Sequence, residues 1–381
     1  MELQDSISDK NKKAILLLKD GTSFIGKGFG AIGKTSGEVV FSTSMVGYTE
    51  ALTDASYRGQ ILTLTYPMIG NYGVPSNELD LGLPKYFESE CIQTQGLAIH
   101  DLCLEPYHWA STRTIDKWLS DEGIPGIHGI DTRRLTKKLQ TNGAMLGMLH
   151  VFNSNKEPDI ETLMEECQNI VDPNQTDLVK EVSIKKTCKY NIDGKLTVVL
   201  IDCGVKFSII RCLLKRGINV IRVPYDTPAD EILSHNPDGV LISNGPGNPK
   251  NNTKTIETVR ALAEKIPIMG ICLGTQIIAI AFGADTYKLK LGHRSQNQPA
   301  RDITNTQCYV TIQNHSYAIK PETLEQTPLE TWFINPNDKT VEGIRHKTKP
   351  IFAIQWHPEI LSGLHNTSML FDKFKKTMEA K

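Results

Sequence analysis

The sequence lacks a charge imbalance of either sign. Its 42 lysine and arginine residues nearly balance 43 aspartate and glutamate residues, which gives a formal net charge of -1 at pH 7. A nucleic-acid partner would call for a basic face, so this balance argues against one. Long apolar runs are also missing, and the opening segment MELQDSISDKNKK has no apolar stretch of the kind that a secretory signal contains. We therefore expect a soluble cytoplasmic protein that binds no membrane.

Paired cysteine motifs are absent as well. The eight cysteines are scattered, without a CxxC spacing and without the density of a disulfide framework. They are Cys91, Cys103, Cys167, Cys188, Cys203, Cys212, Cys272 and Cys308. We expect reduced thiols, which agrees with a cytoplasmic location.

A length of 381 residues is too great for one ordinary core and sufficient for two. The segment AILLLKDGTSFIGKGFG predicts a hairpin around residues 19–21, and EVVFSTSM, QILTLTYP and MLGMLHV predict strands. A short helix is predicted from an Asp131 cap to a stop at Gly143. We predict a mixed α and β domain over residues 1–151, a linker over 152–195 and a second domain over 196–381.

The second domain has a different pattern. Short apolar runs alternate with helical segments, as in TVVLIDCG, NVIRVPYD, DGVLISNGPG and IPIMGICLG. Such runs are typical of parallel strands buried on both faces, so we predict a doubly wound, mostly parallel α/β sheet. Ligand sites in such sheets lie at the carboxyl ends of the strands. This rule directs attention to residues 202–206, 244–248 and 272–276.

Residues 28–35, GFGAIGKT, match both a phosphate-binding loop and a dinucleotide fingerprint. Either motif works only where a strand leads into a helix whose N-terminus faces the phosphates. Here the strand pattern EVVFSTS follows instead of a helix. We therefore interpret this stretch as a glycine-rich β connection and predict no ATP site in this chain.

Cys272 stands in the sequence Gly-Ile-Cys-Leu-Gly between a buried strand and the helical pattern TQIIAIAFG. This arrangement predicts a nucleophile elbow with cysteine in place of serine. The helix N-terminus favours the thiolate, and its backbone N–H groups, beginning with that of Leu273, could stabilise an oxyanion. A buried inert cysteine is the usual alternative, and we prefer that interpretation for Cys203 and Cys212.

A cysteine nucleophile needs a base, and the base needs a partner that fixes its tautomer. The sequence Gln-Trp-His-Pro-Glu ends the strand pattern IFAIQ and supplies His357 and Glu359. Proline ends the strand there, so we expect both side chains at the sheet edge that carries Cys272. We predict His357 as the base and Glu359 as the acceptor of its Nδ1–H.

Taken together, GICLGTQ and QWHPE resemble the class I glutamine amidotransferases, and NGPGNP at 244–249 resembles the oxyanion loop of that family. In the first domain, FSTSMVGYTE, LTDASYRGQILTLTYPMIGNYG and GIDTRRLT closely resemble the small subunits of carbamoyl-phosphate synthase. The resemblance implies a glutaminase that works through a cysteine thioester. It also implies a large partner subunit that uses ATP and metal ions, in a heterodimer or a higher assembly.

The resemblance further implies a set of residues that bind L-glutamine. They are Ser44, Gly245, Gly247, Leu273, Gln276, Asn314, Ser316 and Tyr317. The chain departs from the family at Thr275, where histidine is frequent, and at Ser316-Tyr317, where Gly-Phe is frequent. We expect no metal or other cofactor in this chain, and structural rather than catalytic roles for His293 and His315.

The implied pathway is carbamoyl phosphate synthesis, which feeds arginine and pyrimidine biosynthesis. Two alternatives remain open at this stage: a stand-alone thiol hydrolase such as a γ-glutamyl peptidase, and a non-catalytic regulatory subunit. The first domain argues against the former, and the presence of Cys272, His357 and Glu359 argues against the latter. Much of the partner interface is expected on the first domain. For the basic residues Arg133, Arg134, Lys137 and Lys138 we favour a solvated face over partner contact.

Overall fold

The computed structural model describes residues 11–359 and 367–380, and the chain divides into two compact units. The first comprises residues up to 175 apart from 80–83, and the second comprises 80–83 together with residues from 176 onwards. The boundary falls inside the segment 152–195, and the limits proposed from the sequence stay predictions. Within the described ranges, no helix has both the length and the apolar character needed to cross a membrane.

The first unit is built around a closed barrel with the strand order β1-β11-β3-β4-β8-β10-β2. Strands β6 and β7 form a separate two-stranded sheet. The strands in this part of the chain are β1 Lys12–Leu18, β2 Ser23–Gly30, β3 Gly33–Ser42, β4 Gln60–Leu64, β5 Met68–Ile69, β6 Leu79–Asp80, β7 Leu83–Pro84, β8 Gly96–Ala98, β9 Asp101–Leu102, β10 Pro125–His128 and β11 Met145–Asn153. The helices are α1 Tyr48–Thr53, α2 Ile115–Asp121, α3 Thr132–Asn142 and α4 Ile160–Gln168.

Local sequence signals explain much of the barrel. The predicted hairpin is confirmed: β1 and β2 pair antiparallel, and Gly21 adopts a φ of 89° in the turn. Helix α3 is also confirmed, since Asp131 accepts a hydrogen bond from the Arg134 N–H at 2.8 Å and the helix ends at Gly143. Successive side chains of β1 point to opposite faces of the strand, so Leu16 packs among the residues inside the barrel and Leu17 packs beneath α4.

The second unit is a ten-stranded sheet with the order β12-β14-β13-β15-β16-β21-β20-β19-β17-β18. Its strands are β12 Cys188–Tyr190, β13 Leu196–Asp202, β14 Ile218–Pro224, β15 Gly239–Ile242, β16 Ile268–Ile271, β17 Thr286–Asp302, β18 Cys308–Ile319, β19 Leu329–Ile334, β20 Val341–His346 and β21 Ile351–Ile354. Its helices are α5 Leu178–Val182, α6 Phe207–Leu214, α7 Ala229–Ser234, α8 Thr253–Leu262, α9 Leu273–Ala281, α10 Pro321–Leu324 and α11 Met369–Glu379.

The central strands β14, β13, β15, β16 and β21 are parallel, and antiparallel strands extend the sheet on both sides. Strands β13, β15, β16 and β21 are buried along almost their whole length, with apolar clusters on both faces of the sheet. The mixed α and β first unit and the doubly wound second unit confirm the predicted fold class.

Strand register decides where the motifs meet. Ile271 of β16 pairs with Ile354 of β21, and Ile201 of β13 pairs with Ile242 of β15. The chain therefore leaves all four strands at one edge of the sheet, within about one residue of the same level. Residues 202–206, 243–247, 272–276 and 355–359 emerge there together, as the rule for parallel sheets predicts.

Candidate active site

The elbow at Cys272 is a tight strand-to-helix turn. Cys272 follows β16 directly, precedes α9 and adopts φ 54° and ψ -106°, a conformation that costs free energy for a residue with a Cβ. Its N–H donates to the Ile354 carbonyl at 2.8 Å, which ties the turn to β21. A Cβ on Gly274 would lie 2.2 Å from the Ile242 carbonyl oxygen, so only glycine fits there.

His357 and Glu359 form a buried pair on the segment after β21. Nδ1 of His357 lies 2.7 Å from Oε1 of Glu359, and both side chains are fully shielded from solvent. Burial and the Lys206 charge lower the pKa of His357, but the charge of Glu359 and the neighbouring Cys272 thiol outweigh them. The pKa of His357 is raised from 6.5 to about 10. A protonated His357 would favour the thiolate form of Cys272.

Lys206 belongs to the site but was not predicted from the sequence, although it lies in the segment 202–206 after β13. It is the N-cap residue immediately before α6, and its Nζ lies 3.9 Å from Oε1 of Glu359, with both side chains almost fully buried. Its backbone N–H donates to Oδ1 of Asn244 at 3.1 Å, so two strand ends are connected here. The only sequence signal was its position after a buried strand.

The predicted oxyanion loop follows β15. Gly245 packs so tightly that a Cβ would lie 2.0 Å from the Cys203 carbonyl oxygen and 2.9 Å from the Leu273 side chain. Gly247 adopts a φ of 84°, which favours glycine. The loop 244–247 therefore lies against the first residue of α9. This contact brings its backbone near the elbow, where an oxyanion would form.

Strand β18 carries the remaining predicted glutamine contacts of this unit. The Cys272 thiol lies 3.7 Å from the Asn314 carbonyl oxygen. Nε2 of Gln276 donates to the Tyr317 carbonyl at 2.8 Å and to the Gln355 side chain at 3.0 Å. Asn314, Gln276 and Tyr317 thus lie around the elbow, whereas Gln355 was not foreseen from the sequence.

The two departures from the family pattern have local explanations. The Thr275 hydroxyl donates to the Ile354 carbonyl at 2.5 Å, so it fastens the first turn of α9 to β21. The Ser316 hydroxyl accepts a hydrogen bond from the Arg294 guanidinium. Both side chains therefore have structural partners.

Three other residues that were named from the sequence, Ser44, Cys203 and Lys138, have the following surroundings. Ser44 belongs to the first unit, between β3 and α1, where its backbone N–H donates to the Ser42 hydroxyl at 3.3 Å. Cys203 is fully buried, and burial raises the pKa of its thiol far above the usual range, in agreement with an inert cysteine. Of the basic residues on α3, Lys138 pairs with Asp20 at 2.6 Å.

The rejected phosphate-loop match has a clear outcome. Gly28 and Gly30 lie in β2, whereas Lys34 and Thr35 lie in β3. The connection is a strand-to-strand turn, with Gly30 at a φ of 66°. The helix N-terminus that a phosphate loop requires does not follow this segment.

Family models match both units. Residues 16–149 match the description "Carbamoyl-phosphate synthase small chain, CPSase domain", and residues 199–377 match "Glutamine amidotransferase class-I". The two matches follow the order of the domains predicted from the sequence.

Similar proteins extend over nearly the whole chain. The carbamoyl phosphate synthase small chain of Methanopyrus kandleri is 47% identical over 362 residues, which are 95% of this chain and 98% of that protein. The corresponding protein of Pyrococcus furiosus is 45% identical over 97% of this chain and 99% of its own length. The arginine-specific small chain of Saccharomyces cerevisiae is 44% identical over 98% of this chain and 90% of its own length. The chain therefore belongs to the carbamoyl phosphate synthase small chain family, with a class I glutamine amidotransferase domain as its second unit.

Proposed function

We propose that this chain is the glutaminase subunit of a glutamine-hydrolysing carbamoyl phosphate synthase. It hydrolyses L-glutamine to glutamate and ammonia and delivers the ammonia to a large subunit, which makes carbamoyl phosphate from hydrogencarbonate and ATP. The observation that carries the proposal is the convergence of Cys272, His357 and Glu359 at one sheet edge, with the His–Glu contact at 2.7 Å.

The first half of the reaction forms a thioester. The Cys272 thiolate attacks the side-chain carbonyl carbon of glutamine, and the developing oxyanion is stabilised by backbone N–H groups of Leu273 and of the loop 244–247. His357, held as an imidazolium by Glu359, gives its proton to the leaving nitrogen. The C–N bond breaks, ammonia departs, and a γ-glutamyl thioester remains on Cys272.

The second half releases glutamate. His357 accepts a proton from water, which attacks the thioester carbonyl, and the C–S bond breaks with the sulfur leaving as thiolate. Glu359 keeps the imidazole in one orientation throughout, because its Oε1 accepts the Nδ1–H. Gln276, Asn314 and Tyr317 surround the nucleophile and are suited to recognise the amino and carboxylate groups of glutamine.

The ATP-dependent steps are assigned to the partner subunit. The sequence segment that matched a phosphate loop is a β connection, so it supplies no nucleotide cradle. We place the complex in the cytoplasm and its product in arginine and pyrimidine biosynthesis. A direct route between the subunits has a physical advantage, because ammonia released into water at neutral pH becomes mostly ammonium, a poor nucleophile.

The test measures ammonia and glutamate release from glutamine by the purified chain, with and without its large subunit. Cys272→Ser should abolish both products, whereas Cys308→Ser, which changes an exposed cysteine of the same unit, should leave them near the wild-type level. Stimulation by the large subunit would favour the synthase role over a stand-alone peptidase. Activity that survives Cys272→Ser would contradict the nucleophile assignment and favour a regulatory subunit.

A further inference from the structure

A second buried polar cluster lies between β17, β18 and β20. It consists of His293, Gln313, His315 and Glu342, each at most 9% exposed. Three of them, His293, His315 and Glu342, each offer one potential metal-ligand atom, and these three atoms lie within 4.8 Å of one another. The glutaminase reaction proposed above uses none of these side chains, so the cluster needs a separate explanation.

The outward nitrogens of both histidines are held by oxygen acceptors. Nε2 of His293 lies 2.8 Å from a carboxylate oxygen of Asp338, and Nδ1 of His315 lies 2.8 Å from the Tyr317 carbonyl oxygen. Neither oxygen can donate a proton, so each outward nitrogen is the one that carries hydrogen. When both rings are neutral, as metal binding requires, Nδ1 of His293 and Nε2 of His315 present lone pairs to the interior of the cluster.

Two side-chain oxygens face the same point. Oε1 of Gln313 lies 2.8 Å from Nδ1 of His293 and 3.1 Å from Nε2 of His315. The amide orientation is fixed because Nε2 of Gln313 donates to Oε2 of Glu342 at 2.8 Å. Reversing the amide would place two oxygens at that distance. Oε1 of Glu342 lies 3.6 Å from Nδ1 of His293 and completes a group of four acceptors.

Burial lowers the pKa of His293, but its contacts with Asp338 and Glu342 outweigh burial and raise the pKa to about 9, so one proton on this ring satisfies part of the group. A neutral His315 has one N–H for two oxygen acceptors, at the Tyr317 carbonyl and the Gln313 side chain. Protonating both rings would place two buried cations side by side, with ring centroids 4.8 Å apart, at a high desolvation cost. The Thr340 hydroxyl also has one proton for Asp338 at 2.8 Å and Glu342 at 2.9 Å. A metal ion in place of the His293 proton would remove the remaining conflicts at His315 and Thr340.

We propose that this cluster binds one divalent transition-metal ion, with Zn²⁺ as the best fit. The ligands are Nδ1 of His293, Nε2 of His315, Oε1 of Glu342 and Oε1 of Gln313. Zinc–nitrogen and zinc–oxygen bonds of about 2.0–2.2 Å give tetrahedral edges of roughly 3.3–3.6 Å. Three of the six ligand–ligand distances are 2.8, 3.1 and 3.6 Å, and the ligand atoms of the two histidines and Glu342 lie within 4.8 Å of one another, so the side chains must shift to close a tetrahedron.

The surroundings match what zinc-binding histidines require. The ring N–H that does not bind metal usually donates to a carboxylate or a backbone carbonyl, and Asp338 and Tyr317 supply one of each. The carboxylates of Glu342 and Asp338 balance the charge of a divalent ion. With four protein ligands and little solvent access, the site is structural: the ion joins three strands and fixes residues 313–317 beside the elbow. It departs from the expectation that this chain binds no metal.

The test is Zn²⁺ binding by the full chain carrying Cys272→Ser, because that substitution removes the thiol beside His357 that could hold zinc elsewhere. After dialysis against a chelator, Zn²⁺ is titrated in competition with a chromophoric chelator. We expect one tight equivalent per chain and a rise in melting temperature. Co²⁺ in place of Zn²⁺ should give the intense visible absorption of a tetrahedral site.

Variants locate the ion. In the Cys272→Ser chain, Glu342→Gln and His293→Gln should each weaken Zn²⁺ binding at least tenfold. Asp338→Asn should weaken it about 10–100-fold through the orientation of His293. Asp338 is 43% exposed in its side chain, so this variant should fold even if the buried ones do not. The control is His346→Gln, a buried histidine on β20 outside the cluster, which should bind like the parent.

The result that would overturn the proposal is equally concrete. Absence of a tight equivalent in the Cys272→Ser chain would show that the group is held by protons alone. Unchanged affinity in Asp338→Asn together with Glu342→Gln would place the ion elsewhere. Because the measurement uses a chain without its nucleophile, it does not depend on glutaminase activity, and its failure would leave the proposed function untouched.

Discussion

Both units of this chain contain a short sequence motif known from active sites or phosphate sites, but only in the second unit is the motif followed by the helix that such a site requires. In the first unit, residues 28–35 match a phosphate-loop motif and span the turn between β2 and β3. In the second unit, Gly-Ile-Cys-Leu-Gly forms the turn between β16 and α9. The element that follows the motif makes the difference, because a helix N-terminus offers free N–H groups and a strand does not.

Strand direction adds a second difference. The parallel strands β13, β15, β16 and β21 all end at one sheet edge, so residues distant in sequence become neighbours there. In the barrel, β3, β4, β8 and β10 run parallel to one another, but the pairs β1–β2, β1–β11, β3–β11 and β2–β10 are antiparallel, so strand ends lie at both rims. The parallel strands of the second unit therefore bring their carboxyl ends to one sheet edge, whereas the mixed barrel divides its strand ends between two rims.

The largest expected effect comes from the base. His357→Asn should lower kcat for glutamine hydrolysis about 10²–10⁴-fold, because proton transfer to the leaving nitrogen is lost. The assay is glutamate release at saturating glutamine in the presence of the large subunit. His346→Asn, which changes a buried histidine of the same sheet, should retain activity. Equal loss in both variants would point to general damage to the sheet rather than to a catalytic base.

The glycines of the two units should respond differently to alanine. A Cβ on Gly274 would meet the Ile242 carbonyl oxygen at 2.2 Å, so Gly274→Ala should destabilise the second unit by about 3 kcal/mol or more through strain and overpacking. Gly21 has open space and only a positive φ, so Gly21→Ala should cost about 1–2 kcal/mol. Calorimetric unfolding measures both, and a larger loss for Gly21→Ala would contradict the close-packing argument.

The charges around His357 should shift its pKa in opposite directions. Glu359→Gln removes an attracting carboxylate and should lower the pKa of His357, whereas Lys206→Met removes a repelling ammonium and should raise it. The measurement is the ring chemical shift of labelled histidine across pH. Shifts in the same direction for the two variants would show that packing rather than charge controls the imidazole.

The His357–Glu359 pair also predicts how the free energy of unfolding depends on pH. The pKa of His357 rises from 6.5 to about 10 on folding. Its contribution is therefore complete below pH 6.5 and disappears as the pH rises through about 10. Urea unfolding across this interval should show a stability loss with rising pH in the wild type that is smaller in Glu359→Gln. An identical slope in both proteins would assign the loss to other groups.

The smallest effect is expected at the rejected phosphate loop. Lys34 forms an exposed ion pair with Glu166 at 2.7 Å, and such pairs contribute about 0–1 kcal/mol. Lys34→Ala should therefore leave glutaminase activity and stability nearly unchanged, as followed by glutamate release and calorimetry. Loss of nucleotide binding to the isolated chain in this variant would restore the phosphate-loop interpretation.

Sequence reasoning succeeded where the signal is local. The hairpin at Gly21, the cap at Asp131 and the elbow glycines around Cys272 each depend on a few neighbouring residues with particular backbone needs. It missed Lys206 and Gln355, because their roles depend on contacts with residues more than 70 positions away. It also regarded His293 and His315 as separate structural residues, although the fold places them in one cluster.

The fold class, the elbow and the histidine–carboxylate pair could be predicted from the amino-acid sequence, because strand and helix periodicity, glycine placement and a short His-Pro-Glu motif are all local properties. Which polar groups share a low-dielectric space depends on the packing of the whole sheet. Strand register brought Lys206 near Glu359 and aligned four acceptors between β17, β18 and β20. Register depends on packing over the whole sheet, and short-range sequence patterns do not contain that information.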